Sequence, residues 1–515
     1  MADQMGLTAL DLEQIAARGL TPEQVQYQIE LLQRGFPFAN LDRPCVSGDG
    51  ITVIGDRKAD EYIEKYESTV AAGRVMKLVP ASGAGSRMFR SIVSARNRYA
   101  PLTRSGLEEQ ASTDTEAAVT LRFFENLHRY AFFPVLEEYI GRRSLEATRT
   151  SGRYHEIADS ILNTQKLNYP NKPKGLLPFH GYGSFVRTPI EEHIVEAVSY
   201  ASDANGTARV HFTISPEHLD AVLQHIAEVR PKYESSSNRL EINCSSQKVE
   251  TDTIAVDQNN RPFRTAHGIS FRPGGHGALL ENLNDLNADI VLIKNIDNIT
   301  VEGHLPEIAR HKQILGGYLI EIQNRIFTYL DSIESGSISR SLSDEIIDFI
   351  SGNLGYPFSE NDKDLRGRFV ECLNRPLRVC GMVRNTGEPG GAPFWVQHKN
   401  DTITPQIIES AQVDPASKEQ QKIWCRSTHF NPVDLVCGVR DHTGKPFDLL
   451  HFRDPDTGFI SNKSHNGHHI KTMELPGLWN GGMSHWNTIF VEVPQIVFAS
   501  VKSVEDLLKS GHVSP

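Results

Sequence analysis

The run Leu78-Val-Pro-Ala-Ser-Gly-Ala-Gly-Ser-Arg-Met88 constrains this chain more than any other stretch. Residues 76–82 read as a short buried strand that enters a glycine-rich turn carrying an arginine. Gly83 and Gly85 can take positive φ and let the backbone approach a ligand closely. Successive N–H groups in such a turn line a concave anion site, and Arg87 adds a fixed charge with bidentate geometry. The turn reads as a phosphate cradle. A dinucleotide fingerprint would need a third glycine where Met88 stands, and a Walker A loop would need a Gly-Lys-Ser/Thr that does not follow.

The rest of the chain supplies the layers around that strand. Residues 1–75 read as helical and peripheral, with Thr8 capping one helix and Thr21 capping a second that has Pro22 at its first position. Residues 89–168 are mostly helical. A helix starts at Thr188-Pro189, a strand covers 208–214, and a helix runs from Pro216 to about Val229. The β-branched run over 289–296 predicts a central strand. Strands alternating with helices from 76 to 300 predict an α/β layer with a largely parallel sheet. Residues 301–355 are helical. From 376 onward the pattern turns to β, with strands at 378–384, 393–398, 433–439 and 488–493, and a last helix at 504–509. The predicted division is an N-terminal helical segment to 75, an α/β core over 76–395 with a helical insertion near 90–170, and a β-rich part over 396–515. No internal repeat and no low-complexity linker are visible.

Composition narrows the class. A formal charge of −11 over 515 residues argues against a nucleic-acid scaffold, which would carry a basic face. The six cysteines form no C-x-x-C pair and read as reduced thiols rather than a disulfide framework. No stretch approaches the roughly 20 apolar residues of a membrane span. The start of the chain lacks a basic region followed by an apolar run, so no secretory leader is expected and the cytoplasm is the expected location. Oligomeric state is not legible.

Six further motifs turn the cradle into a specific expectation. Ala81-Ser-Gly-Ala-Gly-Ser-Arg-Met88 resembles the A-G-G-x-G-T-R-M/L loop of the sugar-1-phosphate nucleotidylyltransferases. Lys174-Gly-Leu-Leu-Pro178 resembles the K-x-L-L-P that completes that signature; the helical insertion separates the two here. Arg272-Pro-Gly-Gly-His-Gly-Ala-Leu-Leu280 resembles the P-G-G-H-G-D segment of UTP-dependent sugar pyrophosphorylases. Lys294-Asn-Ile-Asp-Asn298 resembles their v-N-i-D-N strand end. Farther on, Gln406–Val413 is similar to L-L-E-i-A-Q-V, Thr428–Asp434 sits where the family has F-N-T-N-N, and Val501–Leu508 is similar to P-V-K-T-t-s-D-L-L. The matches are short, and their family order is the specific part. They point to a divergent bacterial-type, DUF4301-like branch of that superfamily.

The resemblance implies a Rossmann-like, GT-A-type nucleotide-diphospho-sugar transferase fold and a Mg²⁺-dependent reaction. A sugar 1-phosphate oxygen attacks the α-phosphorus of a nucleoside triphosphate, UTP being favoured, and pyrophosphate leaves in line. Such chemistry needs positioning and charge neutralisation rather than a covalent intermediate. The implied catalytic residues are Arg87, Lys174 and Lys502. Ala81, Ser82, Gly83, Gly85 and Ser86 would hold the triphosphate. Gly274, Gly275 and His276 would pack on base and ribose, and Gln247 would read the uracil edge. Asp297, at a strand's carboxyl end, would bind Mg²⁺, with Asn431 or Asp434 as second ligand. Glu409 and Asn480 would meet sugar hydroxyls, and Lys502 and Lys463 the sugar phosphate.

Two other readings fit the same residues. A glycosyltransferase of this fold would usually show D-x-D where Asp297-Asn-Ile stands. A non-catalytic nucleotide-sugar-binding or regulatory relative would bind without turnover. Asp454-Pro-Asp-Thr-Gly458 lacks the late glutamate of a calcium loop and reads as a surface turn. His465, His468 and His469 match no zinc spacing and read as a polar loop. Trp479 and Trp486 suit either a sugar platform or a core role.

Overall fold

The computed structural model describes residues 7–336, 338–358, 364–387, 390–465 and 467–513. Its centre is a ten-stranded sheet. In chain order its strands are β1 (Val46–Ser47), β2 (Gly50–Thr52), β3 (Val75–Pro80), β4 (Thr207–Ile214), β5 (Arg239–Ser246), β6 (Ile290–Lys294), β7 (Leu377–Arg384), β8 (His429–Phe430), β9 (Asp434–Gly438) and β10 (Asn487–Glu492). Across the sheet the order is β1-β2-β10-β7-β9-β6-β3-β4-β5, with β8 also on β7. The pairings are parallel except that β9 runs antiparallel between β6 and β7, and β8 runs antiparallel to β7. The fold is thus mixed α/β with a mostly parallel central sheet, and strands from the β-rich C-terminal part complete that sheet.

The inner strands have no solvent-facing side, whereas the edge strand β5 alternates exposed with buried or half-buried residues. Every residue of Ile290–Lys294 is buried, as expected of a parallel strand covered on both sides. The long helix Leu305–Glu334 covers one face. The helix Asp56–Ala71 crosses it closely, and a Cβ on Gly317 would lie 1.8 Å from the Tyr62 carbonyl oxygen. Only glycine permits that crossing.

Capping chemistry sets the helix starts as the sequence predicts. Thr8, Thr21 and Thr188 each close a capping box, with Pro22 and Pro189 at the first helical positions. The 89–168 block folds as short helices from Arg90 to Leu162 around an aromatic core that includes Phe89, Phe123, Phe124 and Phe132. Ile299, Val501, Val504 and Leu507 join that core, so the insertion is seated on the C-terminal segment.

Two local expectations are corrected. The segment expected as a closing helix at 504–509 is a 3₁₀ turn, Val504–Leu508. The Asp506 carboxylate accepts the N–H groups of Lys502 and Ser503, and Lys509 N–H closes on the Asp506 carbonyl, which ends the turn. Gly83 and Gly85 do not take positive φ. Glycine is needed at 85 for close approach instead: a Cβ there would meet the Tyr169 carbonyl at 2.5 Å.

Candidate active site

The C-terminal edge of the parallel strands gathers the glycine turn, Lys174, Asp297 and Lys502 among the predicted residues. β3 runs into the Ala81–Ala84 turn, β5 ends just before Gln247, and β6 ends at Lys294, three residues before Asp297. Ile296 N–H donates to the Pro80 carbonyl at 3.0 Å, and Ser215 Oγ donates to the Ser82 carbonyl at 3.3 Å. Ligands of open α/β sheets collect at this edge.

The two halves of the split signature rejoin there. Gly85 N–H donates to the Lys172 carbonyl at 2.8 Å, and Lys174 N–H donates to the Gly83 carbonyl at 2.9 Å. The Gly85 amide is therefore occupied, as is that of Ala81, which donates to Thr213. The N–H groups of Ser82 and Gly83 have no acceptor among the described residues and stay exposed. Arg87 is exposed beside them and makes no ion pair among the described residues.

Three charged side chains meet below the turn. Lys174 Nζ lies 2.7 Å from Asp297 Oδ2, and Lys502 Nζ lies 3.1 Å from the same oxygen. Lys174 also donates to the Val501 carbonyl at 2.6 Å, and Ser500 Oγ donates to Asp297 Oδ1 at 3.3 Å. Lys174 and Asp297 are both buried, while Lys502 remains exposed on its outer side. Burial pushes the Asp297 carboxyl up, but Lys174 and Lys502 outweigh it and hold the group below the ordinary aspartate range. Burial likewise lowers the Lys174 ammonium, helped by Lys502 and Arg87 and opposed by Asp297. With Arg87, the cluster carries three cations against one carboxylate.

The C-terminal segment forms one wall of this cluster. Val501 N–H donates to the Asp297 carbonyl at 3.0 Å, Ala499 N–H to Asn298 Oδ1 at 3.0 Å, and Val504 N–H to the Met88 carbonyl at 3.1 Å. The sequence singles out neither Ser500 nor Asn298: Asn298 lies inside the strand-end motif, but spacing carries no sign that it grips a segment two hundred residues away.

A second cluster forms around His276. Its ring stacks on Trp479 at 4.0 Å between centroids, Nδ1 accepts from Leu478 N–H at 3.0 Å, and Nε2 lies 3.5 Å from Glu409 Oε1. Burial raises the Glu409 carboxyl, yet His276, Asn480 and Trp479 hold it below the ordinary range. Asn480 Nδ2 donates to Gln412 Oε1 at 3.1 Å. The residues expected to meet ribose and sugar are thus brought together, with Trp479 as an added platform. Trp486 is a core residue. Gly274 and Gly275 lead into this cluster. Gly275 lies against Glu474, which pairs at 3.7 Å with the exposed Lys463 on the hairpin Phe459–His465/His468–Glu474. Gln247 donates to Thr251 Oγ1 at 3.4 Å.

The two second-ligand candidates sit differently. Asp434 is buried at the start of β9 and is paired with Lys312 of the long helix. Asn431 Oδ1 accepts from Val433 N–H at 3.0 Å, and its Nδ2 has no partner. Among the described residues, no group of three or more His, Cys, Asp or Glu is placed to hold a metal.

A buried charge network lies under the strand ends, unpredicted from the sequence. Glu196 takes Lys77 at 2.7 Å and Lys294 at 2.6 Å, and Tyr200 OH donates to it at 3.0 Å. Burial brings the Lys77 ammonium down to about 8. The signal was present as lysines inside apolar strands, since a charge there must find a partner.

Residues 8–513 match the family described as a domain of unknown function, DUF4301. The chain belongs to the DUF4301 family. A search of curated proteins found no match. Among solved structures, this DUF4301 protein is similar to the uridine diphosphate N-acetylglucosamine pyrophosphorylase of Trypanosoma brucei in complex with inhibitor, at 12% identity and TM-score 0.46, covering 94% of this chain and 74% of that one. It is also similar to a variant of the UDP-glucose pyrophosphorylase of Leishmania major in complex with UDP-glucose, at 12% identity and TM-score 0.45, covering 98% and 79%. A third is the UDP-glucose phosphorylase of Trypanosoma brucei, at 13% identity and TM-score 0.45, covering 97% and 77%. The DUF4301 chain has no described helix long and apolar enough to cross a membrane.

Proposed function

We propose that this protein is a cytoplasmic sugar-1-phosphate nucleotidylyltransferase on a GT-A-type fold, with UTP favoured as the nucleotide. The observation that carries the reading is the convergence of Lys174 and Lys502 on Asp297 beside the rejoined glycine turn. A cluster with excess positive charge, exposed backbone N–H groups and a free arginine suits a polyphosphate. Arg87 and the Ser82 and Gly83 amides would hold the departing pyrophosphate. Lys174 would neutralise the α-phosphate as charge builds, and Lys502 would orient the attacking sugar phosphate. One P–O bond forms at the α-phosphorus as the bridge to the β-phosphorus breaks. The His276–Trp479–Glu409–Asn480 cluster would take ribose and sugar.

Magnesium fits this arrangement with one carboxylate. Mg²⁺ commonly takes one or two protein carboxylates and completes its shell with substrate phosphates and water. Asp297 would be that ligand, and the cation would supply charge neutralisation on the phosphates. Asp434 is a poor second ligand, because leaving Lys312 would strand a buried ammonium. Asn431, whose Oδ1 accepts only the Val433 N–H among the described residues and keeps a second lone pair, stays the better candidate.

The test is pyrophosphate release with Mg²⁺ across glucose, galactose, N-acetylglucosamine and mannose 1-phosphates, each with UTP, GTP, CTP, ATP and dTTP. Release that needs one sugar phosphate and one nucleotide is the expected outcome. Silence across the panel, with a thermal shift on adding UDP-sugars, would replace this reading with that of a non-catalytic relative. The pairing of Asp434 with Lys312, which takes the second strand-edge carboxylate away from a cation, is the observation that favours that second reading.

A further inference from the structure

A cavity of about 660 Å³ opens beyond the Gln412–Asn480 wall, within the size range of small-molecule sites. Arg87, Lys174, Asp297 and Lys502 do not line it. Thr404, Gln406 and Ile408 form one wall, as alternate residues of the strand Ile403–Ile408 that share a face.

Its chemistry is unusual in two respects. First, six carboxamides line it: Asn40, Gln397, Asn400, Gln406, Gln412 and Asn480. Each offers donors and an acceptor in one plane, the complement of a hydroxyl group that does both. Asn480 Oδ1 is buried without a partner. Second, its charges cancel. Arg368 and Arg375 share Glu371 at 3.0 and 3.6 Å, and Lys399 takes Asp456 at 2.6 Å. The Asp454 carboxylate caps the following turn by accepting Asp456 N–H at 3.0 Å. Burial holds the His398 and His485 rings below the ordinary histidine range, so both are neutral at pH 7. Phe38 and Tyr356 add apolar surface.

We infer that this cavity binds an uncharged, polyhydroxylated ligand, a saccharide. A phosphate would find its cations already committed, and a flat apolar ligand would leave the buried Asn480 Oδ1 unpaired at a cost. The site is separate from the phosphate cluster yet touches its sugar end. Gln412 Oε1 accepts both Asn480 Nδ2 and, at 3.0 Å, Glu409 N–H, so an occupant that engages Gln412 bears directly on Glu409.

Saturation-transfer NMR on the full chain with glucose, galactose, N-acetylglucosamine, maltose and cellobiose tests this without any need for turnover. At least one of these saccharides is expected to bind. Thr402→Trp, which plugs the cavity from a half-buried position on its rim, should weaken that binding by about tenfold or more, whereas Lys174→Ala should leave it within about twofold. Gln397→Trp, at an exposed rim position, repeats the block if Thr402→Trp folds poorly. Absence of binding by all five saccharides, or binding that survives both plugs, or binding abolished by Lys174→Ala alone, would overturn the inference. Failure of the nucleotidyl-transfer reading would leave these outcomes unchanged.

Discussion

Lys174 is the side chain on which the candidate site depends most. It reaches Asp297 and the Val501 carbonyl at once, so it joins the glycine turn, the strand end and the C-terminal segment. If it meets charge that develops in the transition state, Lys174→Ala lowers kcat by more than it raises KM. Steady-state kinetics with the preferred sugar phosphate separate this from a pure binding role, which would move KM alone. Asp297→Asn should abolish turnover, and it should also strip Lys174 and Lys502 of their counter-charge. Breaking such a buried pair costs about 3–5 kcal/mol. A fall in thermal midpoint together with lost turnover is therefore expected, and unchanged activity would remove Asp297 from the site. Arg87→Ala, in contrast, should leave the midpoint unmoved, because that side chain is exposed and unpaired among the described residues.

At the scale of elements, the glycine turn and the helix crossing set the tolerances. Gly85→Ala places a methyl 2.5 Å from the Tyr169 carbonyl, and Gly317→Ala places one 1.8 Å from that of Tyr62. Backbone must move in both cases. Gly317→Ala should lower stability through the helix pair, and Gly85→Ala should chiefly separate the Lys174 segment from the turn; denaturant melts and activity on the same samples distinguish the two. Thr188→Ala removes a capping box and should cost about 1 kcal/mol. These starts were legible in the sequence because a cap is a local matter of four residues. The apolar run that became β6 was legible for the same reason. The joining of 83–85 to 172–174 was not, since the contact spans the whole helical insertion and only motif order hinted at it. The closing segment misled because its apolar spacing and its Ser503–Asp506 capping box both suit a helix start, while its last bond, Lys509 N–H to the Asp506 carbonyl, is a 3₁₀ closure and the turn goes no further. Asp434 and Lys312 illustrate a further limit: a strand carboxylate at the right edge reads as a metal ligand until its helix partner is known.

For the molecule as a whole, buried imidazoles set the response to acid. His512 is held neutral by burial and by His180, with its value brought down to about 3 from 6.5. Its Nδ1 lies 2.9 Å from His180 Nε2, and His180 Nδ1 lies 2.9 Å from Glu192. His193 is depressed as well, by burial and by Lys77. The unfolded chain binds these protons below pH 6.5 and the folded chain does not, so stability is full above pH 6.5 and is lost as pH falls toward 3. Thermal midpoints should decline between pH 7 and pH 5, and His512→Gln should flatten the decline without removing it. A midpoint independent of pH over that window would contradict the burial of both rings.

The anchoring of residues 499–504 across Asp297, Asn298 and Met88 has a temporal side. Synthesis proceeds from the amino end, so the glycine turn, Lys174 and Asp297 all exist well before their last wall does. During that interval the nascent polypeptide holds Lys174 without its Val501 acceptor and Asp297 without Lys502 or Ser500. The charged cluster is therefore completed late and all together, when residues 499–504 emerge and fold back over the helical insertion.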